Sequence, residues 1–370
     1  MRKRAMVFLA GLLLFLVSCS NGVQALPSGA DQAETVAAET AGMPEREAYC
    51  YRFMSEHMLS GDGGMRTNYL DKAPDSELAT GAQVLSESMG LWMLYTVEIR
   101  DQALFDDSLK FVKSRLDTGW ILSYRYSPED GAYPVNAFLD DMRVVRALLL
   151  AQEAFGGHYD VTAATYAKRL YRTNVSGARV YDFYDERYGA ADDSVTLCYL
   201  DLDTMRMLAR RDERWTFVYE EMLGVLKGGY LGEEFPLYAG AYSYLDGTYT
   251  EEDVVTVQSL LTILNLARVG ECPQSSLAYI KRHVAGGTLY GGYRIDGSNA
   301  GRVESTAVYA ICARIAKAVG DEEFYEASLE QMNRFQVLDA DSEVFGAFAN
   351  AQTLDLYAFD NLMALLAYRA

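Results

Sequence analysis

The feature that most constrains the fold is a repeat of short turns, each lying between an apolar helix and an amphipathic one. Five such turns stand at Arg100-Asp101, Gly156-Gly157, Arg211-Asp212, Gly270-Glu271 and Gly320-Asp321. The helical spacing of apolar residues predicts inner helices at about 80–99, 137–155, 196–211, 252–269, 302–319 and 354–369. They start roughly 50–60 residues apart, a repeat that predicts an all-α chain of six helical hairpins.

The two kinds of helix differ in the surface that they need to bury. A helix that is apolar on most sides favours full burial, whereas an amphipathic helix keeps one face in water. Six of each, in alternation, can close into an (α/α)₆ toroid with the apolar helices inside. The long connections then lie on one rim, at the N-terminal ends of the inner helices, and this rim is the expected functional face.

The N-terminus has the composition of a secretion signal. Arg2, Lys3 and Arg4 precede an apolar run from Met6 to Val17, and that run is too short to span a membrane comfortably. The sequence Leu16-Val17-Ser18-Cys19 resembles a bacterial lipoprotein signal, which implies that Cys19 carries the lipid. An ordinary signal peptide or N-terminal anchor with a chance cysteine is the alternative.

Three segments are therefore predicted: a lipoprotein signal peptide over 1–18, a flexible tether over 19–44 and a single domain over 45–370. The tether has few large apolar side chains and cannot bury enough surface to offset its ordering entropy. These segments predict a lipid-anchored protein on the extracytoplasmic face of the cell membrane.

Composition excludes several classes of function. The net charge of −19 argues against nucleic acid as a partner. The three histidines are scattered and the cysteines lack CxxC spacing, so neither a metal site nor a Ser-His-Asp triad is indicated. No cofactor is predicted.

Three acidic residues look out of place near the starts of two inner helices. Glu87 is the only charged residue between Gly81 and Thr96. Partial desolvation there would raise its pKa and suit it to act as an acid; a buried structural glutamate is the alternative. Asp140 and Asp141 begin the second inner helix, where capping accounts for only one of the pair.

These features together carry a resemblance to a known family. Three features resemble glycoside hydrolase family eight: the sequence Ser86-Glu87-Ser88-Met89-Gly90, the helix that carries Asp141 and the stretch Ala147-Leu-Leu-Leu-Ala151, and the six hairpins. The resemblance implies an (α/α)₆ fold and inverting cleavage of β-linked polysaccharides, with Glu87 as general acid and Asp141 binding the central sugar. The closing segment over 345–367 is similar to the branch linked to exopolysaccharide operons.

The sequence departs from that family's pattern at two positions. Ser88 stands where the motif has glycine, and Gln258 stands where the family has its catalytic aspartate. A neutral amide cannot deprotonate water, so Asp253, just over one turn earlier, is predicted as the substitute base. The alternative is that Glu251 to Asp253 is only an acidic helix start.

Aromatic side chains in and near the long connections predict sugar binding, because sugar rings stack on aromatic faces. The substrate-binding candidates besides Asp141 are Trp120, Tyr124, Tyr199, Tyr242 and Tyr293. An anionic rim with many tyrosines fits a neutral or cationic glycan. The alternative for about half of the rim aromatics is that they merely pack the loops down.

The sequence thus favours an inverting endo-glycosidase that acts on a bacterial exopolysaccharide. The alternative is a glycan-binding lipoprotein that kept the fold and lost its base, which Gln258 favours. A lyase or epimerase on the same toroid is less favoured because histidine is scarce. A surface scaffold for other proteins is a further alternative.

Overall fold

A computed structural model describes residues 42–71, 81 and 83–370. The predicted signal peptide, Cys19 and nearly all of the tether lie outside these residues. The described chain contains twelve α-helices: α1 Glu45–Phe53, α2 Ser86–Glu98, α3 Gln102–Phe111, α4 Phe138–Phe155, α5 Tyr159–Asn174, α6 Leu202–Ala209, α7 Arg214–Gly228, α8 Thr256–Val269, α9 Gln274–Ala285, α10 Thr306–Val319, α11 Glu322–Asn333 and α12 Ala358–Tyr368. One π-helical turn continues each of α1 and α3, over Met54–Met58 and Val112–Leu116, and a 3₁₀ turn precedes α6 over Leu197–Tyr199.

The helices form two concentric rings, as the repeat predicted. The inner ring consists of α2, α4, α6, α8, α10 and α12, and these helices are buried on most sides. Each packs against the next, and α12 packs against α2, so the ring closes. The outer helices bury one face and leave the other in water. The all-α (α/α)₆ prediction is therefore confirmed.

The two ends of the described chain complete the sixth hairpin. Helix α1 is the outer partner of α12, and a fully buried carboxylate joins them. Glu47 Oε1 lies 2.5 Å from Arg369 Nε, just beyond α12, and accepts a hydrogen bond of 2.8 Å from Tyr95 Oη on α2. Ring closure therefore depends on contacts between residues more than 300 positions apart.

Short antiparallel ladders join the long connections. The strands are β1 Val84–Leu85, β2 Arg125–Ser127, β3 Gly131–Ala132, β4 Val175–Ser176, β5 Arg179–Val180, β6 Tyr184–Asp185, β7 Ala190–Ala191, β8 Ser194–Thr196, β9 Ala241–Ser243, β10 Thr248–Tyr249, β11 Val254–Val255 and β12 Gly292–Tyr293. They make the sheets β1-β2-β3, β10-β9-β8, β11-β12, β4-β5 and β6-β7. The first three of these pair the connection before one inner helix with the connection before the next.

All the inner helices except α4 start about four to six residues later than the apolar pattern predicted, and the ladders explain two of these differences. Helix α2 begins at Ser86 rather than near residue 80, and α8 begins at Thr256 rather than near 252. The residues immediately before each helix are extended because they pair across the rim, with Val84 opposite Tyr126 and Val254 opposite Tyr293. The ladders therefore hold the N-terminal ends of the inner helices in a fixed arrangement.

Two further observations concern the described part of the chain. The thiols of Cys50, Cys198, Cys272 and Cys312 are all free. None of the described helices is both long enough and apolar enough to cross a membrane.

Candidate active site

Glu87 lies at the rim, in the first turn of α2, and pairs with two residues of α4. Arg143 Nη1 donates to Glu87 Oε2 at 3.2 Å and to Asp140 Oδ1 at 2.9 Å, so a single nitrogen bridges the two carboxylates. Ser86 Oγ donates to the other oxygen of Asp140 at 3.3 Å. The side chains of Glu87 and Asp140 are each 13% exposed, which leaves a narrow opening from the rim.

A glycine allows the two inner helices to approach closely enough for this pairing. Gly90 lies one turn after Glu87 on α2, and a Cβ atom there would lie 2.7 Å from the Cβ of Arg143. Real Cβ atoms do not approach this closely, so any larger residue would push α4 away from α2. Gly90 therefore sets the spacing that brings Arg143 within reach of Glu87.

The environment of Glu87 raises its pKa to near neutral pH. Burial raises the pKa of Glu87 from 4.5 to about 7, Arg143 opposes this rise, and the negative charges of Asp140 and Asp360 add to it. Burial also raises the pKa of Asp140. A carboxylic acid with a pKa near the working pH is suited to donate a proton to a leaving group.

The structure separates the two aspartates that begin α4. Because successive helical residues point about 100° apart, Asp140 and Asp141 face different neighbours. Asp141 is 4% exposed and accepts a 2.8 Å hydrogen bond from Asn136 Nδ2. Its other oxygen has no hydrogen-bond partner within the described chain, and burial raises its pKa. Asp140 is therefore the aspartate beside Glu87, and sugar binding by Asp141 stays a prediction.

Tyr199 and Asp182 extend this cluster towards α6. Tyr199 is 5% exposed, and the charges of Asp182, Asp140 and Glu87 all act on its hydroxyl. Thr196 holds both oxygens of Asp182, through its backbone nitrogen at 2.7 Å and its hydroxyl at 2.5 Å. Burial and the nearby Asp192 raise the pKa of Asp182 to about 7.

A further, half-buried carboxyl approaches from the closing helix. Asp360 lies in the first turn of α12 and accepts a 3.0 Å hydrogen bond from the backbone nitrogen of Ala307 at the start of α10. Burial raises its pKa to about 6. Sequence reasoning missed both Asp360 and Asp182; the available signal was an acidic residue among aromatic ones, in Tyr-Asp-Phe-Tyr and Ala-Phe-Asp.

The predicted base lies at the same rim but apart from this cluster. Asp253 is exposed and immediately precedes β11, at the N-terminal end of α8. Within the described residues it makes no hydrogen bond or ion pair with Glu87. Gln258 is half-buried in the first turn of α8, with its amide oxygen against Gly240 of the preceding connection.

Two of the predicted aromatic residues present part of a ring at the surface near the rim. Trp120 is 45% exposed, but the guanidinium of Arg172 covers one face at 3.6 Å from the ring centroid. Tyr124 is half-buried, and its backbone carbonyl accepts a 2.9 Å hydrogen bond from the nitrogen of Ser86, next to Glu87. The backbone of Tyr124 therefore pairs with the residue next to Glu87, where β2 approaches the start of α2.

The other two aromatic candidates have different surroundings. Tyr242 is half-buried in β9, between Tyr244 and Tyr249, with ring centroids 5.5 and 4.8 Å away. Tyr293 is only 1% exposed and its hydroxyl donates to the carbonyl of Thr288 at 3.2 Å. Burial of this ring assigns Tyr293 to loop packing rather than to a face that a sugar could reach.

The described residues contain no group of three or more histidine, cysteine or acidic side chains arranged to hold a metal ion. The chemistry that the site itself offers is proton transfer between carboxyl groups and a bound ligand. Two rings of helices with a protonatable glutamate at the rim of the inner ring define a six-hairpin glycosidase.

Comparison with known proteins gives the family. A solved structure described as a novel alpha-amylase from Clostridium perfringens is 32% identical, with a TM-score of 0.82, over 88% of this chain and 96% of that one. The chain belongs to the family of that protein, which is a family of glycoside hydrolases with the family-eight-like fold. No family model matches the sequence.

Two more distant matches are similar in fold or in sequence. The endoglucanase Cel10 from Klebsiella pneumoniae, a family 8 glycosyl hydrolase, has the same fold at 18% identity, with a TM-score of 0.59 over 77% of this chain and 96% of that one. A Bacillus subtilis (strain 168) protein named "Putative lipoprotein YdaJ" is 26% identical over 98% of this chain and 96% of its own length.

Proposed function

We propose that the protein hydrolyses a neutral polysaccharide at its rim, with Glu87 as the general acid. The observation that carries the proposal is the burial of Glu87 beside Asp140, which raises the pKa of the carboxyl to about 7, close to neutral pH. Protonation of the leaving oxygen by a positioned acid contributes roughly 10²–10⁴-fold in rate. Tyr124 and Tyr242 supply half-buried aromatic surface for sugar rings.

The pairing of Glu87 with Asp140 bears on which residue activates water. Both carboxylates bind the same nitrogen of Arg143, at 3.2 and 2.9 Å, so their oxygens lie closer together than the sum of these distances. Inversion needs about 6.5–9.5 Å between acid and base to leave room for a water. Asp140 is therefore excluded as the inverting base, and we propose that Asp253 fills this role.

Two observations bear on the substrate, and they suggest different polysaccharides. The relative from Clostridium perfringens is described as an alpha-amylase, which suggests an α-glucan. The resemblance of the C-terminal segment to the exopolysaccharide-linked branch suggests a bacterial exopolysaccharide instead. We propose that the protein cleaves internal bonds of a bacterial exopolysaccharide. Soluble starch is the substrate to compare with it, because cleavage of starch would favour an α-glucan instead.

Reducing-end release from starch, β-glucans and purified exopolysaccharides tests this proposal directly. Wild type should release new ends from at least one substrate, and Glu87→Gln should lose most of that activity. Asp253→Asn should lower turnover strongly, whereas Asp246→Asn should change it little, because Asp246 lies in an exposed turn, where its carboxylate accepts a hydrogen bond from Ser243 Oγ at 3.1 Å. Full activity in Glu87→Gln would reject the proposed acid.

We also propose that Cys19 is lipidated and tethers the domain to the extracytoplasmic face of the membrane. The order of basic, apolar and small residues before Cys19 supports this, as does the name of the Bacillus subtilis relative. Cys19→Ser should move the protein from the detergent phase to the aqueous phase. A variant that stays membrane-bound would contradict lipid attachment at this residue.

A second candidate function is glycan binding without hydrolysis. Gln258 favours it, because an amide stands where the related family has a catalytic aspartate. If wild type binds a polysaccharide but cleaves none, and Gln258→Asp gains hydrolysis, the protein is a binding lipoprotein on a hydrolase fold.

A further inference from the structure

The ladder before α2 carries an arginine to which the proposed reaction gives no role. Arg125 lies in β2, directly opposite Leu85 of β1, and neighbouring strands lie about 5 Å apart. The residue before it, Tyr124, accepts a 2.9 Å hydrogen bond from the backbone nitrogen of Ser86. Arg125 is therefore held one strand away from the residues that immediately precede Glu87.

The two faces of this ladder have different surroundings. Tyr126, the next residue of β2, packs edge-on against Phe111 of the outer helix α3, with ring centroids 5.8 Å apart. Arg115, which follows α3, lies over the ring of Tyr126 at 5.5 Å. Successive residues of a strand point to opposite faces of a sheet, so the side chain of Arg125 points away from this outer helix.

Two tyrosine rings flank the guanidinium of Arg125. Its central carbon lies 4.1 Å from the ring centroid of Tyr133 and 5.5 Å from that of Tyr124. Backbone hydrogen bonds hold both tyrosines, because the nitrogen of Tyr133 donates to the carbonyl of Arg125 at 3.0 Å and the nitrogen of Tyr124 donates to that of Val135 at 2.8 Å. A cation within about 6 Å of a ring centroid is attracted to the ring, so the two rings fix the orientation of the guanidinium.

The guanidinium of Arg125 has no polar partner in the part of the chain that the structure describes. Arg125 is only 9% exposed, yet no carboxylate or other acceptor of these residues engages its guanidinium. Nε is fully enclosed, whereas Nη1 and Nη2 are not, so the exposed tip of the side chain is a pair of free donors. Arginines as buried as this are normally paired, as Arg143 is with Glu87 and Asp140. Arg125 therefore keeps its donors for a ligand.

We propose that Arg125 is a substrate-binding residue, whose two Nη groups donate to neighbouring hydroxyl oxygens of a neutral sugar beside the one at Glu87. Hydroxyl oxygens accept hydrogen bonds, and the planar guanidinium fork matches two oxygens that lie side by side. A hydrogen bond from a charged donor is about twice as strong as one between neutral groups. One arginine can therefore contribute a large part of the affinity for this sugar.

The surroundings of Arg125 favour a neutral sugar over an acidic one. The net charge of −19 repels an anionic polysaccharide as it approaches the protein. The half-buried ring of Tyr124 adds apolar surface beside the guanidinium, which suits the face of a sugar ring. The inference rests on the proposed function, because the acid at Glu87 determines where the polysaccharide lies.

Binding measured in the Glu87→Gln background tests Arg125 separately from hydrolysis. The probes are soluble starch, a mixed-linkage β-glucan and a neutral bacterial exopolysaccharide, each cast in a native affinity gel. At least one should retard Glu87→Gln, and adding Arg125→Met should weaken that binding about 10–100-fold, the loss expected for a charged hydrogen bond. Arg115→Met is the matched control and should leave binding unchanged, because the exposed Arg115 lies over a tyrosine on the opposite face of the same ladder.

Steady-state kinetics give a second readout, which a purely structural role of Arg125 would not produce. In the active protein Arg125→Met should raise KM about 10–100-fold and change kcat little, because the guanidinium binds a sugar away from the bond that is cleaved. Arg125→Lys keeps the charge without the fork and should recover only part of the binding; it also replaces Arg125→Met if that variant does not fold.

The outcomes separate this inference from the proposed reaction. Neutral polysaccharides that fail to bind Glu87→Gln, unchanged binding in the folded Arg125 variants, or an equal loss in Arg115→Met would overturn the role of Arg125. Binding that depends on Arg125 in a wild-type protein that cleaves no polysaccharide would reject the proposed hydrolysis and leave the sugar-binding role of Arg125 in place.

Discussion

Replacing Glu87 with glutamine should remove activity and, at alkaline pH, make the folded protein more stable. The pKa of Glu87 is about 7 in the folded protein against an ordinary value of 4.5. Because the folded-state pKa is the higher one, the folded state holds its proton over a pH range in which the unfolded chain has already lost it. The contribution of the protonated carboxyl is therefore complete below the unfolded pKa and is lost as pH rises through about 7.

The size of the effect follows from the two pKa values. Relative to a pH below both pKa values, titration of Glu87 lowers the free energy of unfolding by about 1 kcal/mol at pH 5 and by about 3 kcal/mol at pH 8. Glutamine stays neutral throughout and its oxygen can still accept from Arg143. The stability of Glu87→Gln relative to wild type should therefore increase by about 2–3 kcal/mol between pH 5 and pH 8.

Urea unfolding of wild type and variant at both pH values measures this difference. Asp182 also has a raised pKa, but it is present in both proteins and its contribution cancels. Glu220→Gln, on the exposed face of α7, is the matched control and should show no such change. If the relative stability of Glu87→Gln is the same at pH 5 and pH 8, the carboxyl is not desolvated and the reasoning fails.

Three further predictions concern the same region and the closure of the ring. Hydrolysis that depends on Glu87 as an acid should fall as pH rises through about 7, and an alkaline limb well below pH 6 would contradict this pKa. Gly90→Ala should cost about 1–3 kcal/mol in urea unfolding and lower turnover, because its methyl group displaces Arg143; an unperturbed variant would show that the helices can separate freely. Arg369→Met should cost about 3 kcal/mol by leaving the carboxylate of Glu47 buried without its cation, and a neutral result by calorimetry would show that ring closure does not depend on this pair.

Several features of this protein could be predicted from the sequence because they depend on local patterns. The number of hairpins, the identity of the inner helices and the single rim follow from helical apolar periodicity and from the length of the connections. Glu87 could be identified because it is a single charged residue in an apolar segment, and such a residue is unusual whichever fold the chain adopts. A desolvated acid at the rim was therefore within reach of sequence reasoning.

The residues that surround Glu87 could not be predicted from the sequence. Asp140 and Asp141 are adjacent in the sequence, and the rotation of α4 against α2, with Gly90 at the contact, decides which of them lies beside Glu87. The same holds for Asp360, which reaches the cluster from a helix more than 200 residues away in the chain. Such contacts depend on the spacing and rotation of whole helices.

Burial of individual rim residues was also decided by the tertiary structure. Tyr293 and Tyr124 stand in similar Gly- and Tyr-rich connections, yet one is enclosed by its own loop and the other borders the acid. Periodicity specifies which face of a helix is apolar, because that property repeats along the chain. Exposure in a connection depends on which neighbouring loop pairs with it, and those pairings form between segments that are distant in the sequence.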